Sequence, residues 1–419
     1  MHCPSLSLPG QAGQGRLRIE VADIFRAHGG AYQKTHALTA QQRKAMRAIE
    51  TCRTAVLGGH LDVCPQCGDE QPSYNSCRNR HCPKCQSLQQ AKWIEKRLDR
   101  LLPVPYFHVV FTVPRQLRLM AMHNRERFFN LLIEAAARTL LDLGEDPKRL
   151  GGLLAITAVL HTWTRDLQFH PHVHCVVSGG GLSPDGERWI SAQCEGRYLF
   201  PRKVLSRLFS RKLLDAVTRA WRCGDLTCPG LSDPKSFARW KNELYDVAWV
   251  VYPKRPFGGP EQVFRYLGRY THRVAISNQR LLSMDDSGVC FVTKGKKTAT
   301  LPPETFIGRF LQHVLPPGFF KIRHFGLLAP ANVNSKLQIA RRLLQPPTPE
   351  RHEVDTRALL ALLVFLAAFQ PNRQLPAGWT LRLLLLTGVD PRRCRNCGAF
   401  TVPEPLPRSP PPPAVLDSS

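Results

Sequence analysis

The chain has 419 residues, enough for two or more domains, and its hydrophobic content of 43% is typical of a globular protein rather than a disordered one. Lysine and arginine (58 residues) outnumber aspartate and glutamate (32 residues), which gives a formal net charge of +26 at pH 7. An excess of this size opposes self-association and favours polyanionic partners, nucleic acid before anionic membranes.

The start of the chain lacks the basic stretch and apolar segment of a secretory signal. The longest apolar run, Ala358–Phe369, is shorter than the roughly 20 residues needed to span a bilayer, so it predicts a buried helix. We therefore expect a cytoplasmic protein without a membrane partner. In that reducing compartment the 14 cysteines are better explained as metal ligands or core residues than as disulfides.

In chain order, residues 1–30 are expected to be a flexible leader and residues 31–102 a helical and zinc-binding module. Its predicted helices cover residues 31–51 and Ser87–Leu102. Eight potential zinc ligands lie between these helices: Cys52, His60, Cys64, Cys67, Cys77, His81, Cys82 and Cys85.

Two C-x-x-C pairs in this segment have the spacing of zinc knuckles, in which both thiolates point at one tetrahedral ion. The minimal interpretation is one structural zinc ion held by the four cysteines of these pairs. The other four ligands form a second set, so a module with two zinc ions is plausible, and spacing alone does not assign ligands to ions. Arg78 and Arg80, close to Tyr74, are candidate contacts to a DNA backbone, with a solvated loop as the alternative.

Residues 103–300 predict an α+β domain, an antiparallel sheet with flanking helices. The predicted strands and helices, in order, are Tyr106–Val113 (strand), Arg125–Leu143 (helix), Leu153–Trp163 (strand), His172–Ser178 (strand), Lys203–Trp221 (helices), Asp246–Tyr252 (strand), 259–272 (helix), and a hairpin over 274–293. The strand His172–Ser178 is expected to end in a turn at Gly179–Gly181.

Within this domain, His172 and His174 flank a single valine in a β-branched run. Because alternate residues of a strand point to the same face, the two imidazoles should converge there and hold a divalent cation. The preferred third ligand is His161, at the end of the preceding strand. His170 has the right parity but is separated by Pro171, and Gln168 is a further alternative.

The predicted helix over 259–272 carries Tyr266 and Tyr270, which share a face because they are four residues apart. Beside a metal ion, a tyrosine oxygen can attack a phosphodiester and store the bond as a phosphotyrosine, while a second tyrosine attacks another strand. Flanking arginines, which could hold phosphates, are Arg265, Arg269 and Arg273. Either tyrosine alone, or the H-x-H pair alone, would be weak evidence; together they predict a catalytic site.

Residues 301–345 are interpreted as a basic extension of the catalytic domain, and residues 346–419 as a proline-rich and apolar tail, mostly helical or irregular. Near its end Cys394 and Cys397 form half of a zinc site without an evident partner.

Three stretches, Cys52–Gln86, LHTWTRDLQFHPHVHCVVSGGGL and YLGRYTHRVAISNQRLL, resemble the two-tyrosine, HUH-type rolling-circle transposases of the insertion-sequence-ninety-one family. The resemblance spans roughly residues 30–345. It implies an N-terminal zinc-binding domain, an HUH nuclease domain and catalytic Mg²⁺ or Mn²⁺. It further implies nicking of single-stranded DNA at the ends of a bacterial insertion element and transfer to target DNA, at the nucleoid and without a small-molecule substrate. His172 and His174 match the HUH pair, and Tyr266 and Tyr270 the catalytic tyrosines.

Two other functions stay open. A plasmid replication initiator or conjugative relaxase would use the same nicking chemistry at a plasmid origin. A zinc-dependent DNA-binding protein without catalysis would have no need of the histidines and tyrosines.

Overall fold

The structure is a computed structural model that describes residues 19–85, 100–192, 199–254, 275–345 and 390–408. The chain divides into two compact units. The first contains residues 1–50 and 78–345, and the second contains residues 51–77 and 346–419.

The first unit contains the described α-helices, two of which begin at a proline, where the missing N–H of that residue costs no hydrogen bond. They are α1 (Val21–Thr35), α2 (Ala40–Glu50), α3 (Arg118–His123), α4 (Arg125–Glu145), α5 (Arg202–Arg222), α6 (Pro234–Asp246), α7 (Pro303–Leu311) and α8 (Lys336–Leu344).

The described strands, numbered along the whole chain, are β1 (Gly59–Val63), β2 (Glu70–Tyr74), β3 (Tyr106–Thr112), β4 (Leu153–Trp163), β5 (Phe169–Leu182), β6 (Trp189–Ser191), β7 (Val251–Lys254), β8 (Leu281–Asp285), β9 (Gly288–Val292), β10 (Thr298–Leu301), β11 (Ile322–Gly326) and β12 (Val402–Leu406). The main sheet of the first unit has the order β11-β4-β5-β3-β7, with β6 paired to β5. Its ladders are antiparallel. The predicted α+β class with an antiparallel sheet is therefore confirmed.

One face of the main sheet forms the hydrophobic core. Val173, Cys175 and Val177 of β5 point to this side together with Phe111 of β3, and α4 and α5 pack over them. Because side chains alternate along a strand, the residues between them point to the opposite face. The burial of β5 follows this period at its start, where buried residues alternate with half-buried histidines. The core thus fixes the register that presents the histidines on the other face.

The predicted leader and first helix need correction. Residues 21–30 belong to α1, and the predicted helix over 31–51 is two helices, α1 and α2, separated at residues 36–39. Val21, Ile24 and Phe25 are almost fully buried, and Phe25 packs edge-on against Phe310 of α7. This apolar face, which begins ten residues earlier than predicted, anchors the helix.

The predicted turn at Gly179–Gly181 is wrong, because β5 continues through the three glycines to Leu182. They are needed for close approach of neighbouring chain segments. A Cβ at Gly180 would lie 2.6 Å from the carbonyl oxygen of Ile190, and one at Gly181 would lie 2.5 Å from the carbonyl carbon of Gly152. Glycine inside a strand marks such a crowded backbone as readily as it marks a turn.

Several boundaries in the second half also differ. Residues up to Asp246 belong to helix α6, capped at its start by the Asp233 side chain, so the predicted strand shortens to Val251–Lys254. The predicted hairpin begins at Leu281, and β10 adds a third strand to it. The segment interpreted as a basic extension supplies β11, which pairs with β4 from Ile322↔Val159 to Gly326↔Ala155. Residues 322–326 therefore belong to the main sheet.

The second unit contains a small antiparallel sheet of order β12-β1-β2. Strand β12 lies in the C-terminal segment expected to be helical or irregular, so that expectation is wrong for residues 402–406. Its pairing with β1, from Gly59↔Leu406 to Val63↔Val402, ties the end of the chain to the cysteine-rich segment.

Three predicted features lie outside the described residues: most of the helix Ser87–Leu102, the tyrosine helix over 259–272 and the apolar run Ala358–Phe369. Among the residues that are described, none of the helices has the length and apolar character that crossing a membrane requires.

Candidate functional site

The main sheet brings three histidines together. His161 of β4 lies directly opposite His172 of β5 in the antiparallel register, and Val159 lies opposite His174. Directly paired residues point to the same face of a sheet, and that face is the one opposite the hydrophobic core. Ring nitrogens of His161, His172 and His174 lie within 4.8 Å of one another, a spacing that one metal ion can bridge.

Hydrogen bonds orient two of these rings. The Nδ1 atom of His172 lies 2.7 Å from the carbonyl oxygen of His170, so Nδ1 carries the proton and donates it, leaving the Nε2 lone pair for a metal. The Nδ1 atom of His174 lies 2.8 Å from Nε2 of His108, on β3. When Nδ1 of His174 donates to His108, Nε2 of His174 is likewise left as a ligand.

Burial keeps these imidazoles neutral. It lowers the pKa of His172 to about 4 and that of His108 to about 3. Burial, followed by the proximity of the other histidines, also lowers the pKa values of His161 and His174. A neutral imidazole is the form that binds a metal, so the group does not have to lose protons near neutral pH.

The other third-ligand candidates are engaged elsewhere. His170 points to the same face as His172 but lies 3.2 Å from the guanidinium of Arg118, through Nδ1. The side-chain amide of Gln168 donates to Asp166. Pro171 does not interrupt the strand, because β5 begins at Phe169, before it.

Beside the histidines lies a half-buried lysine, Lys321, next to the start of β11. Its carbonyl accepts a hydrogen bond from the amide of Leu160, and its Nζ is buried without a hydrogen-bond partner among the described residues. Burial, reinforced by the nearby charge of Arg80, lowers the pKa of Lys321 from 10.5 to about 7.

The lowered pKa of Lys321 leads us to expect that the stability of the protein depends on pH. Between pH 7 and 10.5 the unfolded chain binds a proton at Lys321 that the folded chain has released, so the free energy of unfolding rises with pH in this window. Replacing Lys321→Met should remove that rise, whereas replacing the exposed Lys148→Met should keep it. Urea unfolding at pH 7 and pH 9 measures the difference, and equal slopes in all three proteins would contradict the assignment.

Tyr266, Tyr270, Arg265, Arg269 and Arg273 lie outside the described residues, so their placement relative to the three histidines stays a prediction.

One group of cysteines differs from the predicted minimal set. The sulfur atoms of Cys64, Cys67, Cys394 and Cys397 lie within 4.8 Å of one another, all inside the second unit. The C-terminal pair is therefore not half a site without a partner. Backbone hydrogen bonding from Cys67 is the main cause that lowers the pKa of Cys64 to about 7, which favours the thiolate.

The two histidines predicted as zinc ligands are placed differently. His81 is buried; its Nε2 accepts a hydrogen bond from the amide of Leu315, and its Nδ1 lies 3.1 Å from the side-chain oxygen of Asn79. His60 is partly exposed, with Nε2 3.5 Å from Asp62. Among the described residues neither joins a metal-ligand group.

Two of the arginines predicted to bind DNA are described, and they differ in their exposure and in their contacts with the protein. The guanidinium of Arg80 donates to the carbonyl oxygens of Phe319 and Pro316, each at 2.6 Å, so it holds a loop of its own unit. Arg78 is exposed, with a positive φ of 51° that strains a side-chain-bearing residue.

Sequence reasoning missed His108 as a neighbour of the metal site, although it lies in a predicted strand. Only the register Val110↔His174 places His108 diagonally beside His174. The joining of Cys394 and Cys397 with Cys64 and Cys67 did have a signal, because both pairs read C-x-x-C-G.

The chain is similar to known transposases. A family model described as "Putative transposase" matches residues 155–336, which include the three histidines, and one described as "Transposase zinc-binding domain" matches residues 24–113. The chain is 44% identical over 389 residues to "Putative transposase y4qJ" of Sinorhizobium fredii, covering 90% of this chain and 92% of that protein.

It is also 27% identical over 367 residues to the transposase for insertion sequence element IS801 of Pseudomonas savastanoi pv. phaseolicola, covering 84% of this chain and 80% of that protein. No solved structure matches the chain. On these similarities the protein is an enzyme that acts on DNA. It belongs to the IS91 family of transposases, with an N-terminal transposase zinc-binding domain.

Proposed function

We propose that this transposase nicks single-stranded DNA at the ends of its insertion element through a covalent 5′-phosphotyrosine, and then transfers the strand to target DNA by a rolling-circle route. The observation that carries the proposal is the group His161, His172 and His174 on one sheet face. An antiparallel sheet with helices over the opposite face fits the HUH nuclease fold, which we assign to residues 103–345. Because DNA is its substrate, we place the protein at the bacterial nucleoid.

Three neutral imidazoles form a donor set that a divalent transition metal accepts well, which favours Mn²⁺ over Mg²⁺ as the ion of this site. When bound, the ion supplies positive charge at the non-bridging oxygens of the scissile phosphate. His161, His172 and His174 are the residues that hold it. The core behind β4 and β5 keeps these rings in place, because the strands cannot shift by one residue without exposing their apolar side chains.

The chemical step belongs to Tyr266 and Tyr270. The phenolic oxygen of one tyrosine attacks phosphorus and loses its proton, while the bond from phosphorus to the 3′ oxygen breaks and that oxygen takes up a proton. The 5′ end stays on the protein as a phosphotyrosine. The second tyrosine can attack another strand while the first still holds its end, so transfer becomes possible without release.

Arginine side chains supply contacts to the phosphate backbone in this proposal. Arg265, Arg269 and Arg273 flank the tyrosines in sequence, and Arg78 is exposed in the zinc-binding region. Arg80 contributes indirectly through the loop it holds. Structural zinc ions, bound by cysteine thiolates rather than by His60 or His81, stabilise the N-terminal domain.

The test is an adduct assay with the full-length protein and labelled single-stranded DNA from the element end, in Mn²⁺ or EDTA. A metal-dependent protein–DNA adduct on denaturing gels supports the proposal. Binding without an adduct or nick would instead indicate a zinc-dependent DNA-binding protein. Nicking of plasmid-origin DNA in preference to element ends would indicate a replication initiator or relaxase.

His108 has a positioning role in this scheme: its Nε2 accepts the hydrogen bond that Nδ1 of His174 donates when Nε2 of His174 is the ligand. We expect His108→Leu to weaken Mn²⁺ binding about tenfold, in the range found for partners of metal-binding histidines. His108→Gln, whose side-chain oxygen can accept the same hydrogen bond, should restore most of the affinity. Electron paramagnetic resonance of free Mn²⁺ measures both, and equal affinity of His108→Leu and wild type would rule the role out.

A further inference from the structure

Two C-x-x-C-G segments, more than 300 residues apart in sequence, form the same turn. In the first, the amide of Gly68 donates to the carbonyl of Cys64 at 2.9 Å, and the amide of Cys64 donates to the carbonyl of Asp69 at 2.9 Å. In the second, the amide of Gly398 donates to Cys394 at 3.0 Å, and that of Cys394 donates to Ala399 at 2.7 Å.

The glycine of each turn has the positive φ that this geometry requires, 70° at Gly68 and 79° at Gly398. Any residue other than glycine would be strained at both positions. Each turn therefore presents its two sulfur atoms on the same side, as a zinc knuckle does.

The backbone around the turns holds the two knuckles against each other. The first joins β1 to β2 at the pair Val63↔Glu70. The second is closed by the bridge between Arg393 and Phe400 and runs into β12, which pairs with β1 at Val63↔Val402. Both guanidinium groups of Arg392 and Arg393 lie over the ring of Phe400, at 5.3 and 4.5 Å. These contacts lie within the second unit.

The distances between the sulfur atoms fit a tetrahedral ion. Cys64 Sγ lies 3.4 Å from Cys397 Sγ, and Cys67 Sγ lies 3.7 Å from Cys394 Sγ. Four thiolates at about 2.3 Å from zinc lie about 3.8 Å apart, whereas a disulfide bond is about 2.05 Å long. The backbone amide of Asn396 also donates to Cys394 Sγ, at 3.4 Å.

We propose that Cys64, Cys67, Cys394 and Cys397 bind one zinc ion, so that the C-terminal segment of the chain is a structural part of the zinc-binding module. The matched zinc-binding domain ends at residue 113 and does not contain the second pair. The assignment goes beyond the proposed nicking reaction and does not depend on it, because metal content is measured without DNA.

The test counts zinc in the purified full-length protein. Cys394→Ser/Cys397→Ser and Cys64→Ser/Cys67→Ser should each bind one zinc ion fewer than wild type. The variant that combines all four substitutions should lose no more than that one ion, because both pairs hold the same ion. Cys223→Ser, an exposed cysteine outside the groups, is the matched control and should keep the wild-type count.

An unchanged zinc count in Cys394→Ser/Cys397→Ser overturns the proposal, as does a further ion lost when the pairs are combined. Substitution of zinc by Co²⁺ gives a second measurement on the wild-type protein, which misfolding of a variant cannot affect. Wild type loaded with Co²⁺ should show charge-transfer bands of all-thiolate tetrahedral sites, and the control Cys223→Ser should match it. Bands of mixed nitrogen and sulfur ligation at every site would contradict a four-cysteine ion.

Discussion

Replacing both tyrosines, Tyr266→Phe/Tyr270→Phe, should abolish the covalent protein–DNA adduct, with a loss of nicking of at least about 1,000-fold, because no other side chain in the proposed site replaces the nucleophile. Each single variant should still form an adduct, since the other tyrosine, four residues away in sequence, can attack in its place. Denaturing gels of the reaction with labelled element-end DNA and Mn²⁺ measure both quantities.

The matched control is Tyr245→Phe, which removes one phenolic oxygen from an exposed tyrosine of α6. It should form the adduct like wild type. DNA binding by the double variant, measured in EDTA, should also equal wild type, because the substitution removes only the hydroxyl groups. An adduct that persists in the double variant would show that another residue is the nucleophile. The tyrosine assignment would then be wrong, although the protein would still cut DNA.

Replacing His172→Ala or His174→Ala should reduce metal-dependent nicking by at least about 100-fold. Each substitution removes one of three imidazoles whose ring nitrogens lie within 4.8 Å of one another, and the charge stabilisation supplied by the ion is worth several kcal/mol. Mn²⁺ affinity, followed by electron paramagnetic resonance, should fall in parallel. His161→Ala should behave in the same way, because His161 is the third ligand of the proposed site.

His123→Ala is the control for these variants, because His123 is exposed on α3 and, among the residues that the structure describes, its hydrogen bond is to a carbonyl of its own helix. Its metal affinity and nicking should not change. DNA binding in EDTA should also survive in His172→Ala, since the histidines act on the ion and not on the DNA backbone. Normal Mn²⁺ affinity in both His172→Ala and His174→Ala would remove the proposed catalytic centre, while leaving the family assignment intact.

Much of this protein is readable from short stretches of its sequence. The alternation of histidine and valine at 172–174 encodes both a strand and a shared face, because side-chain direction in a strand depends only on parity. The excess of 26 positive charges and the C-x-x-C spacing are likewise local or additive properties. For that reason the α+β class, the family and the zinc-binding character could be predicted before any coordinates.

Boundaries were less predictable where neighbours decide them. Gly179–Gly181 carries the signal of a turn, yet these residues lie in a strand because Ile190 and Gly152 pass too close for any side chain. The apolar face of α1 is buried by α7, almost 300 residues away, which turns an expected leader into a packed helix. Propensity cannot include such contacts, since they exist only after the chain has folded.

The residues of the sites were likewise predictable in part from the sequence and in part only from the fold. By itself the sequence determined which residues can bind metal, because ligand chemistry belongs to the side chain, and it determined the pairs that are close in sequence. Only the tertiary structure decided which cysteine pairs lie together and that His108 meets His174. These choices depend on strand register, in the ladders β3–β5 and β1–β12, and register results from packing over the whole chain rather than from the spacing of any motif.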